Sequence, residues 1–214
     1  MPKFKAVLFD KDGVLIDSLE TCMDAFNDTL VHFQKPTLSR EGFIREVWGV
    51  RAETVINSIF FDKNEHEREE IRRFYNNSRA MRVNKTQLFS STVPTLQVLK
   101  ASGVKTAVVT NTLKRTALKL LNDFGILQYF DEVIGGDEAE AKPSPAPVLL
   151  ACERLGVRPE EALYVGDTPT DAKAGKAAGC ITAIITTSHN AVDLAEIGDI
   201  LIIDDLSELL NIVQ

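Results

Sequence analysis

The sequence has 214 residues, of which 44% are hydrophobic and 26% charged, a composition typical of a soluble globular protein. The length is sufficient for one domain, or for one domain with a smaller inserted one, and for a core that needs neither disulfides nor a structural metal. The 31 acidic and 24 basic side chains give a net charge of −7, which argues against a nucleic-acid-binding protein because such binding depends on a basic surface.

The sequence predicts neither a membrane protein nor a secreted one. No apolar run approaches the ~18–20 residues of a membrane span, and the first apolar stretch is too short and too soon acidic for a secretory signal. Three cysteines, Cys22, Cys152 and Cys180, form no C-x-x-C motif and cannot all pair with one another. We therefore expect a cytoplasmic protein, a monomer or homodimer, with no membrane or nucleic-acid partner.

The first half of the chain begins with a strand pattern and continues with helical patterns. An apolar run at Ala6–Phe9 predicts the first strand. Residues 17–90 then show three apolar stripes at helical spacing, with no strong strand pattern between them, which predicts a helical insertion. The stripes are Leu19, Cys22, Met23, Phe26, Leu30 and Phe33; Val55, Ile56, Ile59 and Phe60; and Ile71, Phe74, Tyr75 and Met81.

From residue 91 onward, strand and helix patterns alternate. The further apolar runs are Thr106–Thr110, Glu132–Ile134, Ala162–Val165, Ile181–Ile185 and Ile200–Ile203. Helical patterns stop at glycine, as a left-handed C-cap requires, at Gly103, Gly125, Gly156 and Gly179. Because strands that alternate with helices form a parallel sheet covered on both faces, we expect an α/β fold. Residues 1–16 and 91–214 would form a Rossmann-like core domain, and residues 17–90 a small α-helical cap domain.

Polar side chains stand at the ends of three predicted strands. These residues are Asp10, Asp12, Thr110, Asn111, Asp167 and, slightly beyond its strand, Asp171. Because the carboxyl ends of parallel strands lie at the same edge of a sheet, where ligands bind, we expect these side chains to converge. Lys142 lies in a loop between a strand and a helix, and can join them from the same edge.

A cluster of this kind predicts a magnesium site. Neighbouring carboxylates repel one another unless a cation holds them. Oxygen ligands without cysteine or histidine favour Mg²⁺, which accepts one or two carboxylates together with waters and a substrate phosphate. The three histidines, His32, His66 and His189, show no ligand spacing, which argues against zinc.

The spacing of Asp10 and Asp12 is suited to phosphoryl transfer. Side chains two residues apart at a strand end point to one side, so one carboxylate can attack phosphorus while the other handles protons. Thr110 and Asn111 offer hydrogen bonds to phosphoryl oxygens, and Lys142 offers a positive charge.

At these residues the sequence resembles the haloacid dehalogenase-like superfamily of phosphohydrolases, over almost the whole chain. The first motif, D-x-D-G-x-L-x-D-S, is matched by residues 10–18, and the second, a Ser or Thr that closes an apolar strand, by Thr110. The third, K-P-x-P, is matched by residues 142–145, and the fourth, G-D-x-x-x-D, by residues 166–171. The stretch from residue 153 to residue 179 also resembles the phosphoglycolate phosphatase and β-phosphoglucomutase branch.

The resemblance implies a catalytic and a metal-binding role for the acidic residues. Asp10 would be the nucleophile and Asp12 the acid/base. Mg²⁺ would be held by the Asp10 carboxylate, the Asp12 backbone carbonyl and Asp167. Asp171 would support these ligands or, occasionally, bind the metal directly.

The resemblance also implies how the substrate is bound. Thr110 and Lys142 would bind the phosphoryl group, and the helical insertion would be the family's smaller cap, which closes over the site and selects the substrate. Residues 48–51, Trp-Gly-Val-Arg, resemble a loop that touches substrates in the phosphoglucomutase-like branch. Arg51 would then meet a second anionic group; a surface arginine at a helix start is the alternative.

Two residues depart from the first motif. Val14 stands where threonine is common, at a position thought to contribute only backbone. Lys11 replaces the usual apolar residue between the two aspartates. Strand alternation predicts that the Lys11 side chain points away from the chemistry.

Together these features predict a Mg²⁺-dependent phosphatase that hydrolyses a small organic phosphomonoester through an aspartyl-phosphate. Candidate substrates are phosphoglycolate, a sugar phosphate, a nucleotide and pyrophosphate. A β-phosphoglucomutase-like isomerase is the alternative, because it uses the same core and differs in its cap. A non-catalytic phospho-acceptor or binding protein is less consistent with the sequence, because receiver modules lack the helical insertion and because no catalytic position is lost.

Overall fold

The structure, a computed structural model, describes residues 3–189, 194 and 197–213. The chain divides into two compact units, one formed by Met1–Ile16 and Leu88–Gln214 and the other by Asp17–Gln87. The first is the core unit and the second the inserted unit.

The strands form one large sheet and one small one. They are β1 (Ala6–Phe9), β2 (Ile16–Asp17), β3 (Gln87–Leu88), β4 (Lys105–Val109), β5 (Glu132–Ile134), β6 (Ala162–Gly166), β7 (Ile181–Ile185) and β8 (Leu201–Ile203). The large sheet has the order β5-β4-β1-β6-β7-β8, and all its pairings are parallel. Strands β2 and β3 form the small sheet. The predicted parallel sheet is confirmed, and each predicted apolar run is a strand to within one residue at either end.

The helices complete both units. Those of the inserted unit are α1 (Leu19–His32), α2 (Arg40–Glu46), α3 (Ala52–Ile59) and α4 (Glu65–Met81). Those of the core unit are α5 (Thr92–Ala101), α6 (Lys114–Asp123), α7 (Ala146–Leu155), α8 (Pro169–Ala178) and α9 (Leu209–Val213). Single 3-10 turns lie at Val83–Lys85, Leu127–Tyr129, Pro159–Glu161 and Leu206–Glu208. The four glycines predicted to follow helices, Gly103, Gly125, Gly156 and Gly179, all have a left-handed φ, and the last two are the C-caps of α7 and α8.

The large sheet is buried on both faces. Val7 and Phe9 belong to one hydrophobic cluster, which contains residues of α5, α6 and α9. Ala6 and Leu8 belong to a second cluster, which contains residues of α7 and α8. Because successive side chains of a strand point to opposite faces, this alternation places helices on both sides of β1 and explains why the strand is apolar throughout.

Strand β1 lies where the strand order changes direction. The chain proceeds from β1 to β4 and β5 on one side, and then to β6, β7 and β8 on the other. Phe9 pairs with Val108 of β4 and with Val165 of β6. Residues that follow these three strands therefore lie side by side at the carboxyl edge of the sheet, the place where open parallel sheets bind ligands.

The inserted unit has an aromatic core of its own. The ring of Phe26 in α1 packs at 5.9 Å from that of Phe43 in α2 and at 5.7 Å from that of Tyr75 in α4. Helix α2 was not predicted, because it has only seven residues and its buried side is limited to Gly42 and Phe43. It begins after Ser39, whose hydroxyl accepts a hydrogen bond from the Gly42 backbone N–H and so caps the helix.

The prediction that Met81 belongs to the buried stripe of α4 is wrong. Met81 is 74% exposed, whereas Ser78 and Ile71 are buried. At 3.6 residues per turn, Ser78 follows Ile71 onto the same face of the helix and Met81 falls to its side. The small polar residue therefore occupies the position that the apolar pattern assigned to the methionine.

The three cysteines, Cys22, Cys152 and Cys180, are all buried, and none forms a disulfide.

Within the described part of the chain, no helix combines the length and the apolar character needed to cross a membrane.

Candidate active site

Backbone hydrogen bonds extend the sheet by one residue at two of the strand ends. The Asp10 N–H donates to the Val165 carbonyl at 2.8 Å, and the Thr110 N–H donates to the Ile134 carbonyl at 3.0 Å. The first residues after β1 and β4 are thus held by the sheet itself, which fixes the origin of both side chains. Asp10 and Thr110 are each buried.

Three of the predicted acidic residues meet at this edge. Asp10, Asp167 and Asp171 each offer a carboxylate oxygen, and these oxygens all lie within 4.8 Å of one another. All three residues are buried. Carboxylates this close repel one another in a site shielded from water, so the arrangement requires positive charge nearby.

Lys142 supplies part of that charge. Its Nζ lies 2.8 Å from Asp10 Oδ1 and 2.6 Å from Asp171 Oδ1. It also donates to the Val109 carbonyl at 3.2 Å. Burial lowers the pKa of Lys142, but the carboxylates of Asp10 and Asp171 outweigh that effect and hold this pKa well above its ordinary value. The side chain therefore stays an ammonium group in the middle of the cluster.

Burial and the charge of Lys142 act in opposite directions on the pKa values of Asp10 and Asp171, and their balance differs between the two carboxylates. Burial raises the pKa of Asp10 to about 6, against the opposing attraction of Lys142. Burial acts in the same direction on Asp171, but there Lys142 and further hydrogen bonds outweigh it, and the pKa of Asp171 lies below its ordinary value. Asp171 is therefore the more firmly ionised of the pair.

Asp171 is also fixed by the first turn of α8. The Thr168 hydroxyl accepts a hydrogen bond from the Asp171 N–H at 3.1 Å and donates one to Asp171 Oδ2 at 2.5 Å. This reciprocal capping holds the carboxylate at the helix N-terminus, where the helix dipole favours negative charge. Both oxygens of Asp171 thus accept hydrogen bonds from protein groups, since Lys142 contacts the other one.

Tyr164 is a member of the cluster that the sequence did not identify. It lies within β6 and is fully buried. Its hydroxyl donates to Asp171 Oδ1 at 2.7 Å and accepts from Lys142 Nζ at 3.1 Å. Burial, and then the Asp171 carboxylate, raise the pKa of Tyr164 well above its ordinary value, so the hydroxyl keeps its proton. The sequence does contain a signal for this role, namely a tyrosine in a strand predicted to be buried on both faces, because a buried phenol requires a hydrogen-bond partner.

Two glycines allow the loops of the site to approach each other. A Cβ on Gly166 would lie 2.2 Å from Asp171 Cβ, and a Cβ on Gly13 would lie 2.2 Å from Asp167 Oδ2. Gly13 also has φ +79°, a conformation that other residues rarely adopt. The glycines of the first and fourth motifs are therefore required by close packing around the carboxylates.

Thr110 and Asn111 connect the end of β4 to neighbouring loops. Thr110 Oγ1 accepts a hydrogen bond from the Thr112 N–H at 3.1 Å. Asn111 Oδ1 accepts one from the Lys142 N–H at 3.1 Å, which ties β4 to the loop that carries the lysine. The peptide bond between Lys142 and Pro143 is cis.

The prediction that Lys11 points away from the chemistry is wrong. Its side chain is fully buried, and its Nζ lies 2.5 Å from Asp12 Oδ2. Strand β1 ends at Phe9, and the N–H groups of Leu15 and Ile16 both donate to the Lys11 carbonyl. Lys11 is thus part of a turn, where the alternation of strand side chains no longer applies.

The segment after β7 also holds the site and was not predicted. Thr187 Oγ1 donates to the Gly13 carbonyl at 2.5 Å, and Ser188 Oγ donates to the Asp167 carbonyl at 2.8 Å. Two hydroxyl groups thus hold the loops that follow β1 and β6. A threonine and a serine near a strand end are common in sequences, so the sequence alone does not indicate this role.

Arg51 belongs to the inserted unit. It precedes the first residue of α3, and its guanidinium lies 3.5 Å from Glu53 Oε2. Its side chain is 30% exposed. Its contact with a substrate stays a prediction.

The donor set at the carboxyl edge fits a divalent cation bound by oxygen. The cluster contains three carboxylates, those of Asp10, Asp167 and Asp171, and one ammonium group, that of Lys142. This leaves an excess of two negative charges, which one divalent ion would balance. A set of carboxylate oxygens with no sulfur or imidazole suits Mg²⁺.

Comparisons with known proteins agree with this geometry. The family described as haloacid dehalogenase-like hydrolase matches residues 7–185. A phosphoglycolate phosphatase of Aquifex aeolicus is 38% identical over 84% of this chain and 84% of its own length. Phosphoglycolate phosphatase 1 of Pseudomonas aeruginosa is 34% identical over 96% of this chain and 78% of its own length.

A solved structure has the same fold over its whole length. The crystal structure of a predicted phosphoglycolate phosphatase from Haemophilus somnus is 30% identical in sequence and superposes with a TM-score of 0.88. The match covers 100% of each chain.

Proposed function

Because this chain belongs to the haloacid dehalogenase-like hydrolase family, we propose that it is a Mg²⁺-dependent phosphatase and that phosphoglycolate is its substrate. Family membership confirms the resemblance predicted from the motifs, and the relatives named phosphoglycolate phosphatase support a phosphoric monoester hydrolase. The observation that carries the proposal is the contact of Lys142 with Asp10 at 2.8 Å, within a cluster of three buried carboxylates.

Asp10 is the nucleophile of the first step. One of its carboxylate oxygens attacks phosphorus, the bond from phosphorus to the alcohol oxygen breaks, and an aspartyl-phosphate forms. The alcohol leaves with a proton from Asp12. The Asp12 side chain is 19% exposed, whereas that of Asp10 is 9% exposed. The greater exposure of Asp12 supports its role as the residue that exchanges protons with substrate and water.

Water cleaves the aspartyl-phosphate in the second step. Asp12, now a carboxylate, accepts a proton from the water, whose oxygen bonds to phosphorus while the bond to Asp10 breaks. The products are inorganic phosphate and the restored Asp10 carboxylate. One residue therefore acts as acid and then as base, and the enzyme returns to its initial protonation state.

The metal would be held by the Asp10 carboxylate, the Asp12 backbone carbonyl and Asp167. When bound, Mg²⁺ supplies positive charge that offsets the negative charge of the phosphoryl oxygens. The hydrogen bonds that both oxygens of Asp171 accept from protein groups support a positioning role for this residue, namely holding Lys142.

Four further residues bind substrate in this proposal. Lys142, Thr110 and Asn111 contact the phosphoryl group. Asn111 also holds the backbone of Lys142. Arg51 binds the carboxylate of phosphoglycolate, with the inserted unit acting as the cap that selects the substrate. The cytoplasmic location, the monomeric or homodimeric state, and the absence of nucleic-acid and membrane partners remain predictions.

The test is phosphate release from 2-phosphoglycolate, with Mg²⁺ and with EDTA. We expect release that requires the metal and that is lost in Asp10→Asn, because an amide is a poor nucleophile. Asp123→Asn, a change at an exposed residue of α6, is the matched control and should keep full activity. Metal-independent release, or turnover by folded Asp10→Asn, would contradict the proposal.

A further inference from the structure

Lys11 and Asp12 form an ion pair whose two members differ in exposure. The Lys11 side chain is 0% exposed and that of Asp12 is 19% exposed, with the two charged groups 2.5 Å apart. The ammonium group therefore contacts Asp12 from the protein interior, while the carboxylate faces the accessible side. A lysine buried in this way is shielded from a substrate, and it acts on one only through Asp12.

The chain fixes this contact from both ends. Backbone N–H groups of Leu15 and Ile16 donate to the Lys11 carbonyl, so the turn that carries the lysine is hydrogen-bonded. Gly13, next to Asp12, has its carbonyl held by the hydroxyl of Thr187. A turn held in this way presents the ammonium group to one oxygen of Asp12, Oδ2.

We propose that Lys11 is a positioning residue that orients the carboxyl group of Asp12, which donates a proton to the leaving group. The inference rests on the proposed function, in which Asp12 is the acid/base. A charge-assisted hydrogen bond is strong and directional, and it restricts rotation of the carboxylate. An apolar residue at this position would leave Asp12 without that restraint.

Comparing substrates with different leaving groups distinguishes a positioning role of Lys11 from a purely structural one. An alcohol such as glycolate leaves phosphorus poorly unless it is protonated, whereas p-nitrophenolate is stable as an anion and leaves with little help. Misplacing the acid therefore slows an alkyl phosphate more than an aryl phosphate. KM should change little, since Lys11 does not contact the substrate.

The variants are Lys11→Met, Lys11→Arg, Asp12→Asn and the double variant Lys11→Met/Asp12→Asn. We expect Lys11→Met to lower the single-turnover rate of leaving-group release from 2-phosphoglycolate by about tenfold or more, and that from p-nitrophenyl phosphate by about twofold or less, since general acid catalysis contributes on the order of 100-fold. Lys11→Arg should restore most of the loss. In the Asp12→Asn background, Lys11→Met should have no further effect, because there is no acid left to orient.

Thermal unfolding provides a test that does not depend on activity. Asp12→Asn removes the carboxylate from a buried ammonium group and should lower the melting temperature. Adding Lys11→Met should raise it again, because the uncompensated charge is gone. Lys11→Met alone should unfold at or above the wild-type temperature, since Asp12 keeps access to water.

The outcomes separate this inference from the proposed function. An equal loss in single-turnover release of both leaving groups in Lys11→Met, or a loss that persists in the Asp12→Asn background, would overturn the role of Lys11. The role of Lys11 would also be overturned if the change in melting temperature of the double variant equals the sum of the changes in the two single variants. If Asp12→Asn itself slows single-turnover release of both leaving groups equally, the proposed acid role of Asp12 fails, and the inference fails with it.

Discussion

Tyr164 links the two charged side chains at the centre of the site. Its hydroxyl contacts both Lys142 and Asp171, and it has no access to solvent. A phenol in this position keeps the lysine aligned between Asp10 and Asp171 without adding a charge. The cluster is thus held by hydrogen bonds to an uncharged side chain as well as by ion pairs.

Replacing Tyr164 with phenylalanine should weaken the site without removing it. The change deletes the hydrogen bond to Asp171 and leaves the ring in the core, so we expect a loss of about 1–2 kcal/mol of unfolding free energy. KM for 2-phosphoglycolate should rise severalfold, because the Lys142 ammonium loses one of its supports. Urea denaturation and steady-state kinetics measure both effects.

Tyr129→Phe is the control for that change. The Tyr129 hydroxyl accepts a long hydrogen bond of 3.3 Å from Gln97, on an exposed part of the chain. We expect no change in KM and little change in stability. Equal effects of the two substitutions would show that Tyr164 acts only through ordinary packing.

Residue chemistry explains which members of the site were predictable. Asp10, Asp167 and Lys142 were found because a charged side chain directly after an apolar strand, or in a loop at the same edge, is costly to bury and so indicates a binding or catalytic role. Tyr164 was missed because its pattern in the sequence is that of a core residue. Lys11 was assigned the wrong direction because strand alternation was extended beyond Phe9, the last residue of β1, into a turn where alternation no longer applies.

At the scale of elements, the site depends on how closely two loops approach. The turn after β1 and the loop after β6 meet at Gly13 and Asp167, where any Cβ on the glycine would overlap a carboxylate oxygen. The register of β1 with β6 determines this approach, since Phe9 and Val165 are paired. A single methyl group should therefore disturb the metal ligands.

Gly13→Ala should strongly reduce phosphate release while leaving most of the fold intact. The added Cβ would lie 2.2 Å from Asp167 Oδ2, so the carboxylate must move. We expect a loss of activity of about 100-fold, the effect of misplacing a reacting group by roughly 1 Å. Initial rates with 2-phosphoglycolate and circular dichroism are the measurements.

Gly103→Ala is the matched control. Gly103 also has a positive φ, +70°, but nothing lies within 4 Å of the position of its Cβ. Both substitutions cost about 1–2 kcal/mol in backbone strain, and only Gly13→Ala adds the contact with Asp167. Similar activity losses in the two variants would mean that backbone strain, and not crowding of the carboxylate, is responsible.

The elements themselves were mostly predictable, for a physical reason. Each strand of the large sheet is short, apolar and bounded by glycine or polar residues, which is the pattern of a strand buried on both faces. Helix α2 was not predictable, because seven residues with one buried aromatic side chain show no period. Its formation depends on packing of Phe43 against Phe26 of α1, a contact between residues that are distant in the sequence.

At the scale of the whole molecule, the two units divide the work of an enzyme in the proposed function. The core unit carries the cluster of carboxylates and the lysines that compensate them. The inserted unit carries its own aromatic core and Arg51, and we propose that it selects the substrate. The chemistry was predictable from motifs, whereas substrate choice was not, because a single exposed arginine has the same appearance in a surface helix and in a binding loop.

Arg51→Ala should affect only a substrate that carries a second anionic group. We expect KM for 2-phosphoglycolate to rise by about tenfold, the loss of one charge-assisted contact, and KM for p-nitrophenyl phosphate to stay unchanged. Arg45→Ala is the control, because Arg45 is 73% exposed and pairs with Glu46 in the same unit. A parallel change in KM for both substrates would contradict specific recognition of the carboxylate.

The most direct test of the central claim is to detect the phosphoryl group on Asp10. In Asp12→Asn, p-nitrophenyl phosphate can still transfer its phosphoryl group because nitrophenolate leaves readily, but water lacks its base, so the phosphoenzyme should accumulate. Acid quenching followed by peptide mass spectrometry should then show one phosphoryl group on Asp10 with Mg²⁺ and none in EDTA. Nitrophenol release with the phosphoryl group on another residue, or with no phosphoenzyme at all, would contradict the account.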